Sequence, residues 1–213
     1  MLKACYAILI DGGFVRYALK ATAKSPHISA VEIQKLIDAI GRLPCVEGMR
    51  LHRVYFYDAK PLGGKCRRPD GKELDFSASP MAKISSQQHA SFARIPYVAM
   101  RFGELSYRGW RVKEKVLRAT KAIKQLAPDD LEPNVQQKGV DMRIGMDIAA
   151  LALKKQAQVI VLVTGDSDLI PAMKFARREG VQMVLVRLGQ NVKEPMFDHA
   201  DVMIDQKASD LLK

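Results

Sequence analysis

The run Val159-Ile-Val-Leu-Val163, followed at once by Thr164-Gly-Asp-Ser-Asp168, constrains this chain more than any other stretch. Four of the five apolar residues are β-branched. A short apolar run that stops at a turn signal reads as a strand buried on both faces. Gly165 allows a sharp turn where the strand ends. Asp166 and Asp168 then fall at the carboxyl end of that strand, just before a helical segment from Leu169. In open α/β sheets this edge is where ligands bind. Two carboxylates so close repel each other unless a positive charge lies between them, and a hard divalent cation with oxygen ligands meets that need. A turn in which Asp168 caps the next helix is the alternative.

The same grammar recurs along the chain. Ala4 to Ile10 reads as a first buried strand that delivers Asp11-Gly12-Gly13-Phe14, with glycines that end the strand and permit close backbone approach by a ligand. Val15 to Ala23 looks helical. Ser29 and Glu32 form a capping box for a second helix, whose Val31, Ile33, Leu36, Ile37, Ile40 and Leu43 fit one apolar face. Leu51 to Tyr57 is a strand ending at Asp58. The Pro- and Gly-rich stretch from Lys60 to Gly71 predicts irregular structure. Pro80 to Ala93 suits a helix and Tyr97 to Gly103 a third strand. A turn at Arg108 precedes a basic segment, with a helix or a β-excursion over Val112 to Leu126, and then a loop from Ala127 to Pro133.

Met142 to Lys155 has helical periodicity, with Asp141 at its N-cap. Asp147 sits in mid-helix among Met146, Ile148, Ala149 and Ala150, where a buried carboxylate needs a partner: a cation, or Arg143 one turn back. After the Val159 strand come a helix from Leu169 to Glu179 closed by Gly180, a strand from Val181 to Arg187, a short helix from Lys193 to His199, and a last strand or edge segment from Ala200 to Asp205. Strands alternating with helices imply a three-layer α/β/α sandwich with a mostly parallel sheet. If the first and fourth strands are neighbours, Asp11, Asp166 and Asp168 converge. The helix beginning near Asp141 returns antiparallel to the strand it feeds, so its N-terminal half lies at the same edge.

Net charge is +11, and its location is informative. Residues 50–124 carry seventeen Lys or Arg against six Asp or Glu, so the rest of the chain is neutral. Nine of the fourteen aromatics, Tyr55 to Trp110, lie in the same third. Basic and aromatic residues interleaved in this way suit a nucleic-acid backbone and its bases, with a solvated basic face over aromatic core as the plainer alternative. Lys65, Arg67 and Arg68 make the segment after Lys60 the most basic loop. Cys5, Cys45 and Cys66 have no CxxC spacing, which argues against a disulfide framework or a structural zinc and for a reducing cytoplasm. No apolar run is long enough for a membrane span, and no signal peptide is expected. The four histidines share no metal-ligand spacing.

Ile10-Asp-Gly-Gly-Phe14, Tyr57-Asp-Ala59, Lys138-Gly-Val-Asp141 with Asp147, and Thr164-Gly-Asp-Ser-Asp168 together resemble NYN domains, and the LabA-like branch most. The resemblance spans nearly the whole chain and implies one PIN-like domain over residues 1–213, with a basic insert around 60–79 and a basic segment around 106–136. It implies a metal-dependent ribonuclease, acting on single-stranded RNA, with Asp11, Asp141, Asp147, Asp166 and Asp168 as the acidic site and Mg²⁺ or Mn²⁺ as cofactor. Gly12 and Thr164 would support the site. Lys138 and Arg143 would contact the scissile phosphate, and Lys65, Arg67, Arg68, Lys113 and Lys115 would track the strand. One departure is Gly13-Phe14, where many NYN domains carry Asn or Ser-Asn. RNA is then the expected partner, a membrane is not, and a homodimer is compatible with such a domain. A non-catalytic RNA-binding module is the competing reading. A phosphotransfer enzyme of HAD-like or Toprim type fits less well: position 13 is Gly where the first wants Asp, and position 11 is Asp where the second wants Glu.

Overall fold

A computed structural model describes residues 3–20, 27–119 and 125–211. Buried apolar strands and amphipathic helices alternate from the N-terminus: β1 (Cys5–Asp11), α1 (Gly12–Lys20), α2 (Ala30–Gly41) and β2 (Arg50–Ala59). A small hairpin follows, β3 (Lys65–Arg67) and β4 (Glu73–Asp75), then α3 (Pro80–Phe92), β5 (Val98–Val112), α4 (Glu114–Ala119) and β6 (Leu131–Lys138). The last third holds α5 (Val140–Leu153), β7 (Val159–Val163), α6 (Ile170–Arg178), β8 (Gln182–Val186), β9 (Val202–Ile204) and α7 (Ala208–Leu211).

Seven strands form one sheet in the order β6-β5-β2-β1-β7-β8-β9, parallel except for β6. Side chains alternate across each strand, so each face has its own core. Ile8, Ile10, Val54 and Phe56 pack under α1, α2, α3 and α7, against Val15, Ile33, Leu36 and Phe92. Leu9, Tyr57, Leu162 and Leu185 pack under α5 and α6, against Ile144, Ile148 and Met173. The architecture is the expected α/β/α sandwich with a mostly parallel sheet. All five residues of β7 are buried, as a strand covered on both faces requires. The Ser29–Glu32 capping box is also present: Ser29 Oγ accepts the Glu32 N–H at 3.2 Å, and Glu32 Oε2 accepts the Ser29 N–H at 2.7 Å.

Several expectations are corrected. The segment after Lys60 is not wholly irregular, because Lys65–Arg67 pairs antiparallel with Glu73–Asp75. The third strand does not stop at Gly103. It runs to Val112, passing a register shift between Tyr107 and Trp110 where Gly109 adopts φ 87°. Leu131 and Pro133, assigned to a loop, belong to β6, an edge strand where a missing N–H is tolerated. Val31 is 65% exposed and leaves the apolar face of α2. Residues 21–23 of the first expected helix and residues 120–124 of the basic segment lie outside the described residues, while Glu114–Ala119 is helical.

Gly12 begins α1 against the end of β2. A Cβ there would sit 2.6 Å from the Tyr57 carbonyl oxygen and 2.7 Å from the Phe56 ring. The close approach that requires glycine is thus made by the chain itself and not by a ligand. Overpacking at a backbone contact costs about 1–3 kcal/mol. Gly12→Ala should lower the unfolding free energy from denaturant titration by that amount, whereas Gly63→Ala, with nothing within 4 Å of its added Cβ, should leave it nearly unchanged.

Candidate active site

The chain leaves β1 for β2 and β5 on one side and later returns to β7 on the other, so the strand order reverses between β1 and β7. Asp11 closes β1, and Asp166 and Asp168 follow β7. A hydroxyl ties the two strand ends together. Buried Thr164 donates its hydroxyl to Asp11 Oδ2 at 3.0 Å, and its Oγ1 accepts the Asp166 N–H at 3.1 Å. Asp11 Oδ1 accepts the Phe14 N–H at 3.1 Å. Asp166 Oδ1 accepts the Asp168 N–H at 2.9 Å, so Asp166 and not Asp168 caps the following turn. Phe14, the departure noted above, lies against Gly165: a Cβ at that glycine would meet its ring at 2.7 Å.

The N-cap of α5 is Gly139 in a left-handed conformation, not Asp141, which lies in the first turn. Burial and the negative charges of Asp166, Asp11 and Asp168 raise the Asp141 pKa. Burial and Asp166 likewise raise that of Asp11, against opposing hydrogen bonds from Phe14, Thr164 and Gly13. Asp11, Asp141, Asp166 and Asp168 therefore share one electrostatic field. Among the described residues no three such side chains stand close enough to clasp an ion directly.

Asp147 stands apart, with two partners that its own helix does not supply. The Tyr57 hydroxyl donates to Asp147 Oδ2 at 2.8 Å, and Arg101 Nη2 donates to Oδ1 at 2.9 Å. Arg143 turns away and donates to the Gly139 carbonyl at 2.9 Å, so it is not the partner of Asp147. Burial, then the Asp147 charge and its hydrogen bond, push the Tyr57 hydroxyl pKa up, which keeps it a donor. Arg101 also lies over the Tyr55 ring, 5.3 Å from its centroid.

Asp58, at the end of β2, belongs to a separate network. It accepts the Ala59 N–H at 2.8 Å, pairs with Arg16, and meets His89 Nε2 at 2.6 Å. Burial raises its pKa, but His89 and Arg16 outweigh that and bring it to about 2. Tyr57 and Asp58 are visible in sequence as part of the Tyr57-Asp-Ala59 motif at a strand end, but with no role. Arg16, His89 and Arg101 carry no sequence signal, because these partners lie 31 to 90 positions apart.

The basic residues gather on the β3–β4 hairpin and the β5–β6 arm. Trp110 Nε1 donates to the Arg67 carbonyl at 3.1 Å, joining the two. Lys65 pairs with Glu73, Arg68 with Asp70 and Asp129, and Lys113 donates to the Asp129 carbonyl. Arg67, Lys115 and Lys138 are exposed.

A family model for the NYN domain matches residues 6–210. The chain belongs to the NYN domain family. NYN domains are part of the PIN-like nuclease superfamily, whose members generally use divalent metals. The fold of this NYN domain is also similar to the crystal structure of a protein of unknown function from Vibrio parahaemolyticus RIMD 2210633. That likeness has a TM-score of 0.55 at 13% identity and covers 95% of this chain and 92% of that one. No curated protein matches the sequence.

Asp58 offers a test of the satisfied network. Its lowered pKa stabilises the fold above the unfolded carboxyl value of about 3.9. That contribution is lost as pH falls through about 2. Removing one partner of a buried ion pair costs about 3 kcal/mol. Asp58→Ala should destabilise the domain by that order at pH 7 in urea unfolding, and the gap to the unsubstituted protein should close progressively as pH drops toward 2.

Proposed function

We propose that this NYN domain is a metal-dependent ribonuclease of the LabA-like branch, cleaving phosphodiesters of single-stranded RNA. The observation that carries it is the meeting of Asp11, Asp141, Asp166 and Asp168, from three separate elements, at the switch point of the sheet. Burial and neighbouring carboxylate charge raise the pKa values of Asp11 and Asp141, and among the described residues no Lys or Arg pairs with either, which favours an external cation.

The donor set fits Mg²⁺ or Mn²⁺. It is all oxygen, and its spread suits an ion that keeps several waters and takes few direct protein ligands. Asp11, Asp166 and Asp168 would hold the ion, with Asp141 beside them. When bound, such a cation offsets charge on the phosphate and lowers the pKa of water. Thr164 fixes Asp11 and the backbone of Asp166 in register. Asp147 keeps acceptor capacity after Tyr57 and Arg101, enough to hold a water at the rim of the site. One carboxylate of the set accepts the proton of the attacking water. Lys138 and Arg143, at the junction of β6 and α5, supply positive charge for the scissile phosphate. Arg67 and Lys115, with Lys65, Arg68 and Lys113 behind them, track the strand along the arm. If a homodimer forms, the exposed Met142, Met146 and Leu153 of α5 are the surface it would bury.

A non-catalytic RNA-binding module is the second reading, favoured by the basic hairpin and arm alone. Cleavage of single-stranded RNA in Mn²⁺ separates the two. The unsubstituted protein should cleave and stop on chelation, and Asp166→Asn with Asp168→Asn should lower kcat/KM by about a thousandfold or more while RNA binding persists. Unchanged cleavage in the double variant would remove these aspartates from the mechanism.

A further inference from the structure

A cavity of about 550 Å³ opens at the carboxyl end of β2, between α1, α3 and the β5–β6 arm. It lies one strand away from the acidic site. Asp11 pairs in register with Tyr57, the residue before Asp58, and Asp58 lines the cavity. Strand alternation separates the two sites by face. Tyr57 points to α5, while Asp58 meets α1 and α3 through Arg16 and His89. The acidic cluster and the cavity therefore flank the same sheet edge from opposite sides.

The wall chemistry is mixed in a specific way. Leu105 and Val135 of the arm and Phe76 before α3 make an apolar floor, and Phe76 is itself braced 5.4 Å from Tyr107. Tyr17 of α1 lines the cavity and is 70% exposed. Gln137, Gln88 and Arg16 bring polar groups. Gln88 spends its amide N–H on the Ile28 carbonyl at 2.7 Å, leaving its carbonyl oxygen. Asp58 accepts from Arg16, His89 and its neighbouring backbone, and so acts there as an anchor for the Arg16 guanidinium.

Volumes of roughly 300–1,000 Å³ with apolar walls and a few placed polar groups are those of small-molecule sites. A flat base stacks on an aromatic ring and is read by hydrogen bonds along its edge, which is how proteins recognise unpaired RNA. Arg16, paired with Asp58, is the one Lys or Arg among the described lining residues. The excess positive charge of residues 50–124 lies outside the cavity, on the hairpin and arm that adjoin it, where it favours an anionic chain running past the opening over a neutral apolar ligand. We propose that this cavity is a base pocket, taking the nucleobase that flanks the cleaved phosphodiester, with Tyr17 as the stacking surface and Arg16 and Gln137 as edge readers. The proposal rests on the ribonuclease reading and makes the cleavage base-selective.

The test titrates AMP, GMP, CMP and UMP into the full-length protein by calorimetry, alongside cleavage in Mn²⁺ of RNAs that differ only in the flanking base. Two variants are compared, Ser85→Trp, which fills the cavity from a half-exposed position on α3, and Tyr17→Ala, which removes an exposed ring. Far-UV circular dichroism checks that both fold. At least one mononucleotide should bind the unsubstituted protein, and both variants should weaken it by roughly tenfold or more. The preferred RNA should fall to the kcat/KM of the others. Absent binding, or equal binding by all three proteins, overturns the base pocket even if RNA is cleaved. Binding that both variants weaken, with no RNA cleaved by any of the proteins, leaves a nucleotide pocket and refutes the ribonuclease reading instead.

Discussion

Repulsion between like charges at one edge of a parallel sheet is the constraint on which this structure turns. Placing β1 beside β7 brings Asp11 next to Asp166, and the return of α5 adds Asp141. The fold then holds these groups in place with neutral donors: the Thr164 hydroxyl, and the backbone N–H groups of Phe14 and Asp168. Such donors orient a carboxylate without cancelling its charge. The edge is left with an electrostatic cost that a divalent cation would relieve.

Two buried or half-buried aspartates elsewhere show what a relieved carboxylate looks like. Asp58 has Arg16 and His89, and its pKa drops to about 2. Asp147 has Arg101 and the Tyr57 hydroxyl. Burial opposes ionisation of Asp58 as it does that of Asp11, so the opposite directions of their shifts come from the partners supplied. The aspartates thus divide into those with a protein cation beside them, Asp58 and Asp147, and those for which the described residues supply none, Asp11 and Asp141 among them.

The parts legible in sequence were those with a local physical signature. The uninterrupted β-branched run of β7, the apolar β1 and the Ser29–Glu32 box each specify their structure within a few residues. The β5–β6 arm had none. Leu131–Lys138 is largely polar and contains Pro133, and it forms a strand only because β5 continues past Gly103 to pair with it. The β3–β4 hairpin is three residues a side and is held by Trp110 from the arm. Among the candidate site residues, Asp11, Asp166 and Asp168 could be placed from strand ends and the reversal of strand order. The partners of Asp147 could not, because Tyr57 and Arg101 are 90 and 46 positions away, on strands whose order had to be known first.

Thermal unfolding in chelator and in Mn²⁺ tests the central claim without requiring any substrate. A ligand that binds the folded state at about 100 times its Kd adds about 2.7 kcal/mol of stability. If the four aspartates share a cation, Mn²⁺ should raise the Tm of the unsubstituted protein by several degrees, and Asp166→Asn with Asp168→Asn should abolish that rise. An equal rise in both proteins, or none in either, would contradict a shared ion at this edge.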